Sequence, residues 1–173
     1  GEGKVFVIAD YSNQEQVILA NTSQDPDLLD FFLSGGSDMH SFIAKTMFGL
    51  NCSIQEVPKK YNKERQIAKS TGFAVAYGGN EQTLQNNLGI SAAEAKKAYN
   101  LYFNSFPGLK KYFEEGKKNM KSRGYILINS LSGRKYFIDP PQAHLLKTPA
   151  RYIPYASRKQ VTALERKSQN YPI

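Results

Sequence analysis

The stretch Arg65-Gln-Ile-Ala-Lys69-Ser-Thr-Gly-Phe73-Ala-Val-Ala-Tyr77-Gly78 places a cation or an aromatic ring at every fourth position. On a helix each step of four turns by about 40° and rises about 6 Å, so these side chains form a slowly winding stripe roughly 18 Å long. The spacing starts this helix near Asn62, and Gly78-Gly79 ends it. Two cations followed by two rings suit a nucleotide, because cations neutralise phosphates while a ring packs against base or sugar. Taken alone, Arg and Lys four apart are usually a solvated face, and Phe and Tyr four apart are usually core.

Upstream, residues 4–9 are apolar and β-branched and stop abruptly at Asp10. They read as a buried strand that delivers Asp10 at its tip. A carboxylate there is a natural ligand for Mg²⁺, which takes oxygen donors and shares them with substrate phosphates. An Asp capping the next helix is the commoner use. Helical spacing follows over 15–21, Asp25-Pro26-Asp27 opens a further helix, residues 34–37 break it, and 40–48 form another closed by Gly49. A polar stretch containing Pro58 leads into the striped helix.

Downstream, 82–88 and 91–103 read as helices, the second with a capping box of Ser91 and Glu94. Phe106-Pro107-Gly108 precedes a long basic helix over 109–123. Residues 124–129 and 135–138 read as two strands of a hairpin around Ser132-Gly133. Residues 140–154 are loop-like, and 157–170 form a final basic helix. The fold class expected is α+β and mostly helical.

With 40% hydrophobic residues, 10 Phe and 11 Tyr among 173, the chain can bury a real core. Its apolar runs, such as residues 5–9, are far shorter than a membrane span. No basic-then-apolar leader opens it, and the single cysteine, Cys52, excludes a disulfide scaffold and a multi-cysteine zinc site. A reducing, cytoplasmic setting with no membrane partner is expected. Residues 1–40 hold one lysine against seven acids, a net −6, whereas residues 41–173 hold 22 basic and 8 acidic groups, a net +14. That asymmetry suggests a polyanion on one surface and metal-binding acids on another. Glu114-Glu115, inside the basic helix, reads as an exposed acidic patch.

Together, Asp10-Tyr-Ser-x-x-Glu15, Asp38-x-His40 and Arg65-x3-Lys69-x3-Phe73-x3-Tyr77-Gly78 resemble the family A DNA polymerases, the bacterial DNA polymerase I type. The likeness continues through Leu88-Gly-Ile-Ser-x3-Ala95, Tyr102-Phe-x2-Phe106-Pro-Gly108, Gly124-Tyr125, Gly133-Arg-Lys-Tyr136 and Glu165-Arg166-x3-Asn170-x-Pro172, and is weakest over 140–155. It implies the fingers and partial palm of a right-hand polymerase. Residues 1–24 would be a palm strand with its metal motif, 25–124 the helical fingers, and 125–173 a return hairpin, loop and the start of a palm helix.

The resemblance also implies roles. Asp10 would bind two catalytic Mg²⁺ ions, with the Tyr11 carbonyl on one of them, for phosphoryl transfer to a primer 3′ end. Arg65, Lys69 and His40 would hold the deoxynucleoside triphosphate, and Lys69 would give a proton to the departing pyrophosphate. Glu15 beside Phe73 would exclude a ribose 2′-hydroxyl, Phe73 in place of Tyr would disfavour dideoxynucleotides, and Tyr77 would occupy the template-base position. Arg134, Arg166 and Asn170 would contact primer–template DNA. Asn13, which the resemblance counts with the dNTP-binding residues, stands where the family commonly has Gln, and Val17 where it has Arg, which suggests a divergent, phage-like member. The family's second carboxylate belongs to a His-Asp-Glu motif beyond Asn-x-Pro, and no His-Asp or Asp-Glu pair occurs here. The chain is therefore expected to be a piece of a polymerase, inactive by itself, with an exposed palm edge open to self-association. The alternative is a non-catalytic nucleotide- or DNA-binding module or relic.

Overall fold

The striped helix is present as α5 (Asn62–Ala76), and one side of it is core: Ala68, Thr71, Gly72, Ala74, Val75 and Ala76 are buried. The computed structural model describes residues 3–129 and 132–170, with the side chains of Asn129 and Asn170 outside that description. Small residues along the buried side let α5 lie close to α3 (Met39–Phe48), whose Ile43, Ala44 and Met47 join the same core. Helices α1 (Gln14–Ser23), α2 (Pro26–Leu33), α7 (Ala92–Ser105) and α8 (Pro107–Arg123) complete it with Leu19, Leu28, Phe31, Tyr102, Phe106, Leu109 and Phe113. A smaller cluster of Ala74, Leu84, Ala95 and Ala98 seats α6 (Glu81–Leu88) on α5 and α7.

The far half of α8 belongs to another cluster, where Met120 meets Ile126, Ile138, Leu146 and Leu164. This gathers the hairpin β1 (Tyr125–Asn129) and β2 (Arg134–Phe137) with helices α9 (Pro140–Lys147) and α10 (Tyr155–Asn170). The strands pair antiparallel with Tyr125 opposite Phe137 and Ile126 opposite Tyr136, and the register shifts between Leu127 and Asn129. One 17-residue helix thus carries both halves of the chain.

Two close approaches fix the frame. Asp25 is fully buried and caps α2 through the Leu28 amide, while its other oxygen accepts the Gly108 amide at the start of α8, 2.8 Å away. A Cβ on Gly108 would stand 2.7 Å from Asp25 Cα, so only glycine admits this junction. At the other end of α5, Gly78 has φ +67°, and a Cβ there would lie 3.1 Å from Arg166 Cα and 2.7 Å from Gln169 Oε1. Glycine both ends α5 and lets α10 approach it.

The helix order and the hairpin match expectation, and the α+β, mostly helical class holds. Two expectations fail. Residues 4–9 are not a buried strand: they are irregular, with Val5 87%, Phe6 100% and Ile8 92% exposed. A strand needs a neighbour for its amides and carbonyls, and among the described residues the only ladder joins β1 to β2. Residues 140–154 are not loop-like but hold α9 and a 3₁₀ turn, Ala150–Tyr152. Pro140 and Pro141 read as breakers, yet they occupy the first helical turn after Asp139, where no intrahelical N–H partner is lost. Pro58 does the same in α4 (Val57–Lys60), which follows a 3₁₀ turn at Ile54–Glu56. No helix among the described residues is long and apolar enough to cross a membrane.

Candidate nucleotide site

The stripe of α5 is its outward side. Arg65 is partly exposed and Lys69 exposed, while Phe73 and Tyr77 are 38% and 54% exposed. Two large rings left in solvent beside two cations rule out the core reading of the aromatics.

The three motifs distant in sequence meet on this side through five contacts. Arg65 donates from Nη2 to Asp38 Oδ1 at 3.1 Å and from Nε to Ser41 Oγ at 2.9 Å, binding α5 to the start of α3. The His40 ring sits 5.6 Å from the Phe73 ring, centroid to centroid, at 49°. Tyr77 Oη donates to Glu15 Oε1 at 3.2 Å, joining the end of α5 to α1. Asn13 takes a left-handed conformation, φ 56°, which asparagine tolerates better than most residues. Its Nδ2 donates to the Ser37 carbonyl at 3.2 Å, so the turn after Asp10 is tied to the turn before Asp38.

Local chemistry explains the start of α3. Asp38 is its N-cap, accepting the Ser41 amide at 3.1 Å on Oδ1 and the Ser41 hydroxyl at 2.6 Å on Oδ2. Partial burial works to raise the Asp38 carboxyl, but hydrogen bonds from Ser41 and Arg65 outweigh it and hold the group below its ordinary value. Burial, then the positive charges of Lys69 and Arg65, push His40 below its ordinary value against the opposing pull of Asp38. Its imidazole is accordingly neutral at pH 7, and His40 Nδ1 is buried without a hydrogen-bond partner among the described residues. Glu15 keeps the Tyr77 phenol protonated by accepting its hydrogen bond and by its charge. The patch therefore offers anion-seeking groups at one end and rings with a carboxylate at the other.

Asn13, Glu15, His40, Arg65, Lys69, Phe73 and Tyr77 all lie in or beside this patch. Asp10 and Tyr11 are exposed on the irregular segment just before α1. Arg166 is exposed on α10, its backbone against Gly78 and so next to Tyr77. Arg134 is exposed at the start of β2, on the hairpin that packs with α8 and α10 rather than on the stripe. The Asn170 side chain and Pro172 lie outside the described residues. Glu114 and Glu115 are exposed, as expected. Among the described residues no group of three His, Cys, Asp or Glu is placed to hold a metal ion. The sequence marks Asp38 within a motif without giving it a task, and nothing in that motif marks Ser41. The signal available was Asp three residues before Ser at a helix start, which reports a cap but not the arginine that the cap would meet.

The match to the family model DNA polymerase family A runs over residues 1–173. The chain is 37% identical over 125 residues to DNA polymerase I of Streptococcus pneumoniae strain R6, which covers 72% of this chain and 14% of that protein. It is 31% identical over 175 residues to DNA polymerase I of Deinococcus radiodurans, covering 99% of the chain and 16% of the relative. The POL domain of Pol1 from M. smegmatis, solved in complex with DNA primer–template and dNTP, superposes with a TM-score of 0.73 at 30% identity. That match covers 94% of this chain and 25% of the other. The chain thus spans between about a seventh and a quarter of the length of these relatives. By the family match along its whole length and by these identities, the chain belongs to DNA polymerase family A.

Proposed function

We propose that the full-length protein carrying this chain is a cytoplasmic DNA-directed DNA polymerase, adding deoxynucleotides to a primer 3′ end on a DNA template. The observation that carries this reading is the meeting of three sequence motifs in one exposed patch of cations, rings and a carboxylate around α5. In this reading 25–124 are fingers, with residues before and after contributed to the palm.

Arg65 and Lys69 bind the triphosphate by charge, and neutral His40 adds a hydrogen bond rather than a charge. Lys69 delivers a proton to the oxygen that leaves with pyrophosphate. Glu15, held by Tyr77, stands where a ribose 2′-hydroxyl would be desolvated or clash, and Phe73 packs on the sugar. Tyr77 occupies the template-base position until a nucleotide arrives, and Arg166 beside it, with Arg134 and Asn170, meets the primer–template. Asn13 orients the loop that carries Asp10 through its bond to Ser37.

Asp10 and the Tyr11 carbonyl are oxygen donors of the kind Mg²⁺ takes, but one carboxylate and one carbonyl fall short of its ligand number. Two Mg²⁺ ions, when bound with carboxylate from elsewhere in the protein, would supply charge neutralisation at the reacting phosphate. For the 173-residue chain taken alone, that donor set favours binding of nucleotide or DNA without catalysis. The exposed apolar side chains Val5, Phe6, Val7 and Ile8 would then promote self-association.

Phe73→Tyr in the full-length protein tests the assignment of α5. A tyrosine hydroxyl substitutes for the missing 3′-hydroxyl, so dideoxy incorporation relative to deoxy rises by about tenfold or more, the worth of a hydrogen bond to a charged partner. An unchanged ratio in competitive primer extension rejects the assignment.

A further inference from the structure

Arg65, His40 and the cap of α3 form one unit. The Asp38 carboxylate accepts three hydrogen bonds: the Ser41 amide and Arg65 Nη2 on Oδ1, each at 3.1 Å, and the Ser41 hydroxyl on Oδ2 at 2.6 Å. Ser41 has one hydroxyl proton, and that short contact to a carboxylate takes it. Its oxygen is thereby left as the acceptor for Arg65 Nε–H at 2.9 Å. The ring is closed, with every direction set by chemistry. Ser41 is fully buried, while the Arg65 side chain keeps 23% of its surface exposed.

A guanidinium has five N–H groups arranged as two forks, a side fork of Nε and Nη2 and an end fork of Nη1 and Nη2. Asp38 and Ser41 take the side fork. Among the described residues Nη1 makes no hydrogen bond, so the end fork remains free to donate to the paired oxygens of a phosphate. A long side chain is thus ordered before its ligand arrives, which removes an ordering cost from binding. His40 lies between Asp38 and Ser41 in the same turn, so the same cap sets both the arginine and the imidazole.

We propose that Asp38 and Ser41 are positioning residues that aim the end fork of Arg65 at the triphosphate of the incoming nucleotide. This rests on the reading of Arg65 as a triphosphate ligand, and the test separates the two.

In the full-length protein, single-nucleotide incorporation is measured on a fixed primer–template, with dATP opposite a template thymine as the probe. Asp38→Asn keeps a good helix cap but removes the charge. Its kcat/KM for the nucleotide falls about tenfold, the share of one charge-assisted hydrogen bond, with primer–template affinity unchanged. Ser41→Ala falls about fivefold and Ser41→Thr stays within about twofold, because the hydroxyl is restored. In an Arg65→Ala background Asp38→Asn has no further effect, since its route to the substrate is already gone. The same loss in both backgrounds would show that Asp38 acts only on the fold and would overturn the proposal, as would an Asp38→Asn enzyme with wild-type kcat/KM. If Arg65→Ala itself leaves kcat/KM unchanged, the triphosphate reading fails and the positioning role falls with it.

Discussion

Lys69→Ala lowers single-turnover deoxynucleotide incorporation in the full-length protein by about a thousandfold, the middle of the range for losing a positioned proton donor. Lys69 is exposed on α5, one turn beyond Arg65 and one before Phe73, and it is outside every buried cluster. Its removal therefore costs the fold little, within about 0.5 kcal/mol as for an ordinary surface change. On the proposed assignment the loss falls on substrate instead, with one phosphate charge and one transferable proton removed together. Lys69→Arg separates them. Arginine keeps the charge but holds its proton far too tightly to give it up, so nucleotide KM recovers while kcat stays low. A Lys69→Ala enzyme within tenfold of wild type would mean that the proton reaches pyrophosphate by another route.

The largest effect on stability is expected at the junction of Asp25 and Gly108, two residues 83 apart in sequence. Asp25→Ala removes the cap of α2 and leaves the Gly108 amide without its acceptor. Cap loss costs about 1 kcal/mol and an abandoned buried donor about 1–3 kcal/mol more, so the variant loses about 2–4 kcal/mol. Asp25→Asn costs less, because its single side-chain oxygen can still serve one of the two amides. Gly108→Ala belongs with the severe variants, since its Cβ would meet the Asp25 backbone at 2.7 Å. Thermal unfolding orders these variants, and an Asp25→Ala protein as stable as wild type would show that the two helix starts hold without their shared carboxylate.

Much of this was legible because the informative residues recur at helical spacing. Arg65, Lys69, Phe73 and Tyr77 describe one exposed side of a helix, and the glycines after Tyr77 mark its end. What spacing could not supply was pairing across long separations. Asp25 reads as a local cap and gives no hint of Gly108, and Asp38 reads likewise with no hint of Arg65. Residues 4–9 have the composition of a buried strand, but a strand exists only with a neighbour, and composition does not report one. Pro140-Pro141 misleads for a related reason: proline breaks a helix interior but suits its first turn, and only the backbone shows which applies.

On the proposed assignment this chain carries the nucleotide-binding surface and one metal-binding carboxylate of a template-directed polymerase. Primer extension with four deoxynucleotides and Mg²⁺ tests it most directly, comparing the full-length protein, its Asp10→Asn variant and the 173-residue chain alone. Extension that follows the template is expected in the first, a loss of at least about a hundredfold in the second, and none in the third. Undiminished extension by the Asp10→Asn variant, or templated extension by the 173-residue chain alone, would contradict it.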